Sequence, residues 1–75
     1  MAYQSPLPGI SSERFAEALR RAQAEFREMP GLKLTEAQVA RLLSFDSALC
    51  SAVLTTLVDQ HFLMRTRDTF QRASR

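Results

Sequence analysis

The sequence has little of the chemistry that ties a small protein to metals, to membranes or to itself. A single cysteine, Cys50, stands among 75 residues, so no intrachain disulfide can form and a reducing compartment is expected. One cysteine and one histidine fall short of a four-ligand zinc site, and we expect neither metal nor cofactor. No apolar run approaches the roughly 18 residues that span a bilayer, and no export signal opens the chain, which predicts a cytoplasmic protein without membrane contact.

The sequence also has little net charge. The net charge is +2, which is too small to indicate nucleic-acid binding by itself. Its distribution is uneven, because residues 61–75 carry four arginines against one aspartate, a net +3, whereas residues 1–60 carry six basic and seven acidic groups. We therefore expect the positive field at the C-terminal end. A hydrophobic fraction of 45% and a charged fraction of 24% are those of an ordinary globular domain.

Proline and glycine are few, and they divide the chain. Residues 1–10 hold two of the three prolines and one of the two glycines, which predicts a flexible arm followed by a single domain over residues 11–75. Ser11 and Ser12 can cap a first helix, and the Pro-Gly pair at 30–31 ends it.

One apolar stripe runs along this predicted first helix. Its members, three or four residues apart, are Phe15, Leu19, Ala22, Phe26 and Met29. The opposite face carries balanced charge, with Glu17 and Arg21 placed to pair at i, i+4. The stripe is expected mainly to form the third wall of the core, and its remainder can pair with a second copy to make a homodimer.

A helix-turn-helix is predicted next. The triplet 32–34 suits a very short strand, and Thr35 with Gln38 forms a capping box that starts a second helix at Glu36. The predicted buried face of that helix consists of Val39, Leu42 and Leu43. Asp46 caps a third helix that runs from about Ser47 to Gln60. Two helices joined by about three residues make a helix-turn-helix.

The last segment favours a β-hairpin. Residues 62–66 and 69–72 are rich in strand formers, and Arg67-Asp68 between them can make a two-residue turn. The predicted order is therefore helix, strand, helix, helix, hairpin, which is α+β and mostly helical.

That order is the order of the winged helix. The segments "LT…QVARLL" and "LVDQHFLMRT" resemble the second helix, and the third-helix exit with the first wing strand, of winged helix-turn-helix domains in bacterial regulators. The resemblance covers residues 29–72, and it extends to short bacterial stand-alone proteins of mostly unassigned function. It implies a winged helix fold. Such domains commonly bind DNA through the third helix, and many serve only as protein-interaction modules.

The outward face of the third helix carries no basic residue. Its residues are Ser47, Ala48, Ser51, Ala52, Thr55, Thr56, Asp59 and Gln60. None is lysine or arginine, the residues that mostly read guanine and neutralise phosphate. Ser51 and Thr55 are small enough to approach a groove and can bond bases or phosphates weakly.

The hairpin carries the basic residues. Arg65, Arg67 and Arg72 fall on its two strands and turn, which predicts a wing that grips DNA phosphates. The alternative, that an edge hairpin is charged in order to stay soluble, stays open. Lys33 and Arg41 can extend the basic patch.

Catalytic machinery is not evident in the sequence. His61 follows the third helix and is expected to cap its C-terminus. Cys50 is expected to be a buried structural thiol. No serine has a neighbouring histidine that could activate it as a nucleophile. We therefore expect no enzyme and no small-molecule substrate. The leading hypothesis is a DNA-associated regulatory or accessory protein that contacts duplex DNA through Arg65, Arg67, Arg72, Ser51 and Thr55. The alternative is a protein-interaction module that docks a partner through the third helix or the first.

Overall fold

A computed structural model describes residues 12–73 of the chain. The elements are α1 (Ser12–Glu28), β1 (Leu34–Thr35), α2 (Glu36–Leu43), α3 (Ser47–Asp59), β2 (Leu63–Thr66) and β3 (Thr69–Arg72). Three helices and a three-stranded antiparallel sheet make an α+β fold that is mostly helical, in the order that the sequence predicts. The predicted arm over residues 1–10 and the cap at Ser11 lie outside the described residues.

Helix α1 is the third wall of the core, as expected for most of its stripe. Phe15, Ala18, Ala22 and Phe26 are buried, and the helix packs on α3. Met29, the last residue of the predicted stripe, is 46% exposed and belongs to the part of the stripe that the core leaves uncovered. Proline disfavours helical geometry in the residue before it, so α1 ends at Glu28 and Met29 leaves the helical period.

The turn between α2 and α3 follows local signals that are visible in the sequence. The Thr35 backbone N–H donates to Gln38 Oε1 at 2.9 Å, and the Gln38 N–H donates to Thr35 Oγ1 at 3.2 Å, so the predicted capping box is present. Asp46 Oδ1 accepts from the Leu49 N–H at 2.8 Å. The two helices are bent by 112° from each other, within the range of a helix-turn-helix.

Leu42 departs from the predicted buried face of α2. Val39 and Leu43, one turn apart, are buried, whereas Leu42 is 50% exposed. Leu42 lies about 100° round the helix from Leu43. Among the eight residues of α2, only Val39 and Leu43 are buried against the core, so the side chain of Leu42 lies outside that contact.

The sheet has the order β1-β3-β2. Leu34 pairs with Phe70 and Thr35 with Thr69 in the β1–β3 ladder. The predicted strand over 32–34 is displaced, because the Leu32 N–H donates to the Met29 carbonyl at 2.9 Å in a tight turn, and the strand begins only at Leu34.

One apolar core joins the helices to the sheet. Its largest fully buried side chains are Phe15, Phe26, Leu54, Leu57, Leu63, Val39 and Val53. Across residues 12–73, no single helix is long and apolar enough to cross a membrane, and α2 and α3 reach that length and apolarity only when taken together across the bend between them.

Candidate nucleic-acid interface

The tip of the β2–β3 hairpin is built around Arg67. Its φ of 60° is positive, while Asp68 beside it keeps a negative φ, the sign pattern of a type II′ turn, which favours glycine at the first position. The Arg65 Nε donates to the Arg67 carbonyl oxygen at 3.0 Å, and the Thr69 hydroxyl donates to the Thr66 carbonyl oxygen at 3.0 Å. These two bonds close the turn despite the arginine at the strained position.

Arg65 lies next to this tip on the core-facing side of the sheet. It is the cross-strand partner of the buried Phe70, and partners in an antiparallel pair point to the same face. The Arg65 Cζ lies 5.8 Å from the Phe70 ring centroid, a cation–π distance. Arg65 and Arg67 are both exposed, so the structure brings two of the three predicted arginines together at one end of the hairpin.

Arg72 is at the opposite end of the hairpin. It pairs with the buried Leu63, and its Cζ lies 4.4 Å from the Phe62 ring centroid. A four-residue strand is about 10 Å long, which separates Arg72 from the tip. The side chain is half-buried, and its Nε is buried without a hydrogen-bond partner.

The exposed face of α3 holds Ser51 and Thr55, one turn apart. The strand β2 follows α3 closely and packs on it, so the hairpin lies beside this helix. Lysine and arginine do not occur within α3. At its N-terminus, Asp46 already accepts the Leu49 N–H, so a negative charge occupies the end of the helix that otherwise attracts phosphate.

Cys50 is a core residue. Its side chain is buried, and its Sγ donates to the Glu36 carbonyl oxygen at 3.5 Å. Desolvation by burial, and to a smaller extent the Glu36 carboxylate, raises the pKa of the Cys50 thiol from 9.0 to about 11. The thiol is therefore protonated near neutral pH, as expected for the buried residue that the sequence indicates.

His61 terminates α3 through its backbone. It has a φ of 62°, its N–H donates to the Val58 carbonyl at 3.0 Å, and the Phe62 N–H donates to the Leu57 carbonyl at 3.0 Å. These two bonds are a Schellman motif. The imidazole is exposed. Among residues 12–73, no three His, Cys, Asp or Glu side chains are grouped to hold a metal ion.

Two surface features were missed by the sequence analysis. Arg27, in the last turn of α1, has its Cζ 5.5 Å from the same Phe62 ring that Arg72 covers. Its only sequence signal is a cation near a helix C-terminus, which is common. An open cleft of about 470 Å³ also lies between α1 and the α2–α3 turn, where Arg21 covers the Phe45 ring at 5.8 Å.

No protein-family model matches the chain, and comparison with curated proteins and with solved structures gives no match either. The class of the protein therefore rests on its structure alone. It is a small α+β domain in which two helices joined by a tight turn precede a basic hairpin.

Proposed function

We propose that the chain is a winged helix protein that holds duplex DNA by its phosphates, as a regulatory or accessory factor. Three features support this fold assignment. The helices α2 and α3 meet at 112°, the strands are ordered β1-β3-β2, and the hairpin follows α3 directly. The second and third strands then form the wing.

The pairing of Arg65 with Arg67 at the hairpin tip carries the proposal. The Nε of Arg65 donates to the backbone carbonyl oxygen of Arg67 at 3.0 Å, which holds the exposed Arg65 guanidinium beside the turn that carries the exposed Arg67 side chain. Two exposed arginines close to one turn suit phosphate, because guanidinium forms paired hydrogen bonds with oxyanions. Arg72, about 10 Å away at the base of the wing, contributes less to this contact.

Helix α3 supplies shape rather than charge. Its exposed serine, threonine and alanine side chains let the helix approach a groove closely, with Ser51 and Thr55 nearest to the DNA. Without lysine or arginine on α3, bidentate readout of guanine is absent from this helix. We therefore expect weak sequence preference and affinity dominated by phosphate contacts. The same surface offers no nucleophile with a base beside it, so the proposal includes no enzymatic activity.

The test is binding of the purified protein to mixed duplex DNA at two salt concentrations. For two or three phosphate contacts, raising salt from about 50 to about 200 mM lowers affinity roughly 10- to 40-fold. Arg67→Glu should remove most binding at the lower salt. Arg20→Glu is the matched control, because it makes the same charge change on the solvent-facing side of α1 and should leave most of the affinity. Absence of binding at about 50 mM salt contradicts the proposal.

A protein-interaction module is the second candidate. The exposed Leu42 on α2, at 50%, is an apolar side chain on the helix-turn-helix, and the exposed face of α3 is free of basic residues. Interfaces are depleted of charge at their centres. Under this function, Leu42→Ser abolishes binding of a protein partner, while Arg67→Glu leaves it intact.

A further inference from the structure

Two arginines that are far apart in the sequence lie near one aromatic ring. Arg27 belongs to the last turn of α1, and Arg72 is the final residue of β3. Their Cζ atoms lie 5.5 and 4.4 Å from the Phe62 ring centroid, so they are at most 9.9 Å apart, the sum of those distances. The Ala73 N–H donates to the Phe62 carbonyl at 3.1 Å, which holds the end of β3 beside the ring.

Neither guanidinium has its charge neutralised. Among residues 12–73, no carboxylate lies within 4.0 Å of the Arg27 or Arg72 guanidinium, whereas Arg20 pairs with Glu17 at 3.9 Å. The Arg72 Nε is also buried without an acceptor. The two guanidinium groups, at most 9.9 Å apart, repel each other, and more strongly because Arg72 is half-buried. An anion bound to both would offset this repulsion.

We propose that Arg27 and Arg72 form a binding site for a dianionic phosphate, either free or carried by a small phosphomonoester. A phosphomonoester has a charge of about −1.5 to −2 near pH 7 and three strong acceptor oxygens, which matches two guanidinium groups in charge and in hydrogen-bond donors. A diester, with one charge, offsets only half of the cluster. Phe62 sets the position of both arginines by cation–π contact.

This site shares Arg72 with the proposed DNA contact, but Arg27 and Phe62 lie outside that contact. The site lies at the base of the hairpin, about one four-residue strand from the tip, and Arg67 takes no part in it. Loss of DNA binding in Arg67→Glu and loss of phosphate binding in an Arg27 variant are therefore independent results. Either function can fail without the other.

Titration followed by NMR tests the site in the full chain. The ¹H–¹⁵N signals of the arginine Nε–H groups are recorded while methyl phosphate replaces chloride at constant ionic strength. We expect saturable shifts of the Arg27 and Arg72 signals with a Kd on the order of 1 mM. Dimethyl phosphate, the monoanionic control, should bind at least about tenfold more weakly.

Matched variants and a second ligand complete the experiment. Arg27→Gln, an exposed position, should weaken methyl phosphate at least about fivefold, while Arg20→Gln on the same helix leaves it unchanged. Equal binding of inorganic phosphate supports a site for the phosphate group alone, and tighter binding of methyl phosphate supports an ester ligand. No saturable shift up to about 20 mM, equal binding of dimethyl phosphate, or an unchanged Kd in Arg27→Gln would overturn the site and leave the arginines as a cover for Phe62.

Discussion

The Nε of Arg65 donates a 3.0 Å hydrogen bond to the carbonyl oxygen of Arg67. The acceptor is a backbone atom, so the bond does not depend on the side chain at position 67. That side chain can therefore be removed without breaking the contact that closes the hairpin. The strain at the tip and the charge at the tip are, for this reason, experimentally separable.

Replacing Arg67 by glycine should stabilise the fold while weakening DNA binding. A left-handed conformation costs a non-glycine residue about 1–2 kcal/mol, whereas glycine adds about 0.4–1 kcal/mol of entropy to the unfolded chain. The free energy of unfolding should therefore rise by about 0.5 kcal/mol, measured by urea denaturation. Arg67→Ala is the control, which loses the same charge without the gain in stability. A drop in stability for Arg67→Gly would show that the Arg67 side chain, not its backbone, holds the turn.

Replacing Asp46 by asparagine should raise DNA affinity at nearly constant stability. Asparagine caps helices about as well as aspartate, so the bond to the Leu49 N–H is retained. The substitution removes a negative charge from the N-terminus of α3, where the helix dipole favours an anion. We expect roughly a two- to fivefold gain in affinity at about 50 mM salt. Asp46→Ala is the comparison, since losing the cap should cost about 1 kcal/mol, and an unchanged affinity in Asp46→Asn would place α3 away from the DNA.

Cys50 should resist thiol reagents until the protein unfolds. Its pKa of about 11, raised from 9.0 by burial and by Glu36, leaves roughly one hundredth of the usual thiolate near pH 8. Native protein should therefore react with a chromogenic disulfide at least about 100-fold more slowly than protein in denaturant. Fast labelling of the native state would mean that the core around Cys50 opens readily.

The same pKa predicts loss of stability in alkali. A raised pKa means that the unfolded thiol ionises first, so the contribution is present below pH 9 and is lost as the pH rises from about 9 towards 11. Cys50→Ala should show a smaller loss of stability over that interval. The comparison is made by denaturant unfolding of both proteins at pH 7 and pH 10.

Local signals in the sequence predict the order of the helices and strands. Tertiary packing decides which of their apolar side chains are buried. The capping box at Thr35 and the cap at Asp46 act within three residues, so the starts of α2 and α3 can be inferred from neighbours alone. Met29 and Leu42 are apolar, yet both side chains are exposed. The exposure of Met29 depends on where α1 ends, and that of Leu42 depends on how much of the α2 surface packs against the core.

The contacts of the arginines also divide into those that the sequence can predict and those that depend on tertiary packing. A two-residue turn at 67–68 fixes the hairpin register, so the sequence can predict that Arg65 faces Phe70 and that Arg72 faces Leu63. It cannot predict that the last turn of α1 brings Arg27 to the Phe62 ring, because that meeting depends on how α1 crosses the sheet. The DNA contacts of Ser51 and Thr55 remain predictions.

Thr35 is at once the last residue of β1, paired with Thr69, and the N-cap of α2. No linker separates the sheet from the helix-turn-helix at this point, so the two parts share a covalent and hydrogen-bonded joint rather than a hinge. Tilting the hairpin relative to α2 would require unwinding the first turn of that helix. The domain should therefore meet a partner as a rigid body, and the partner, if it is DNA, must do the bending.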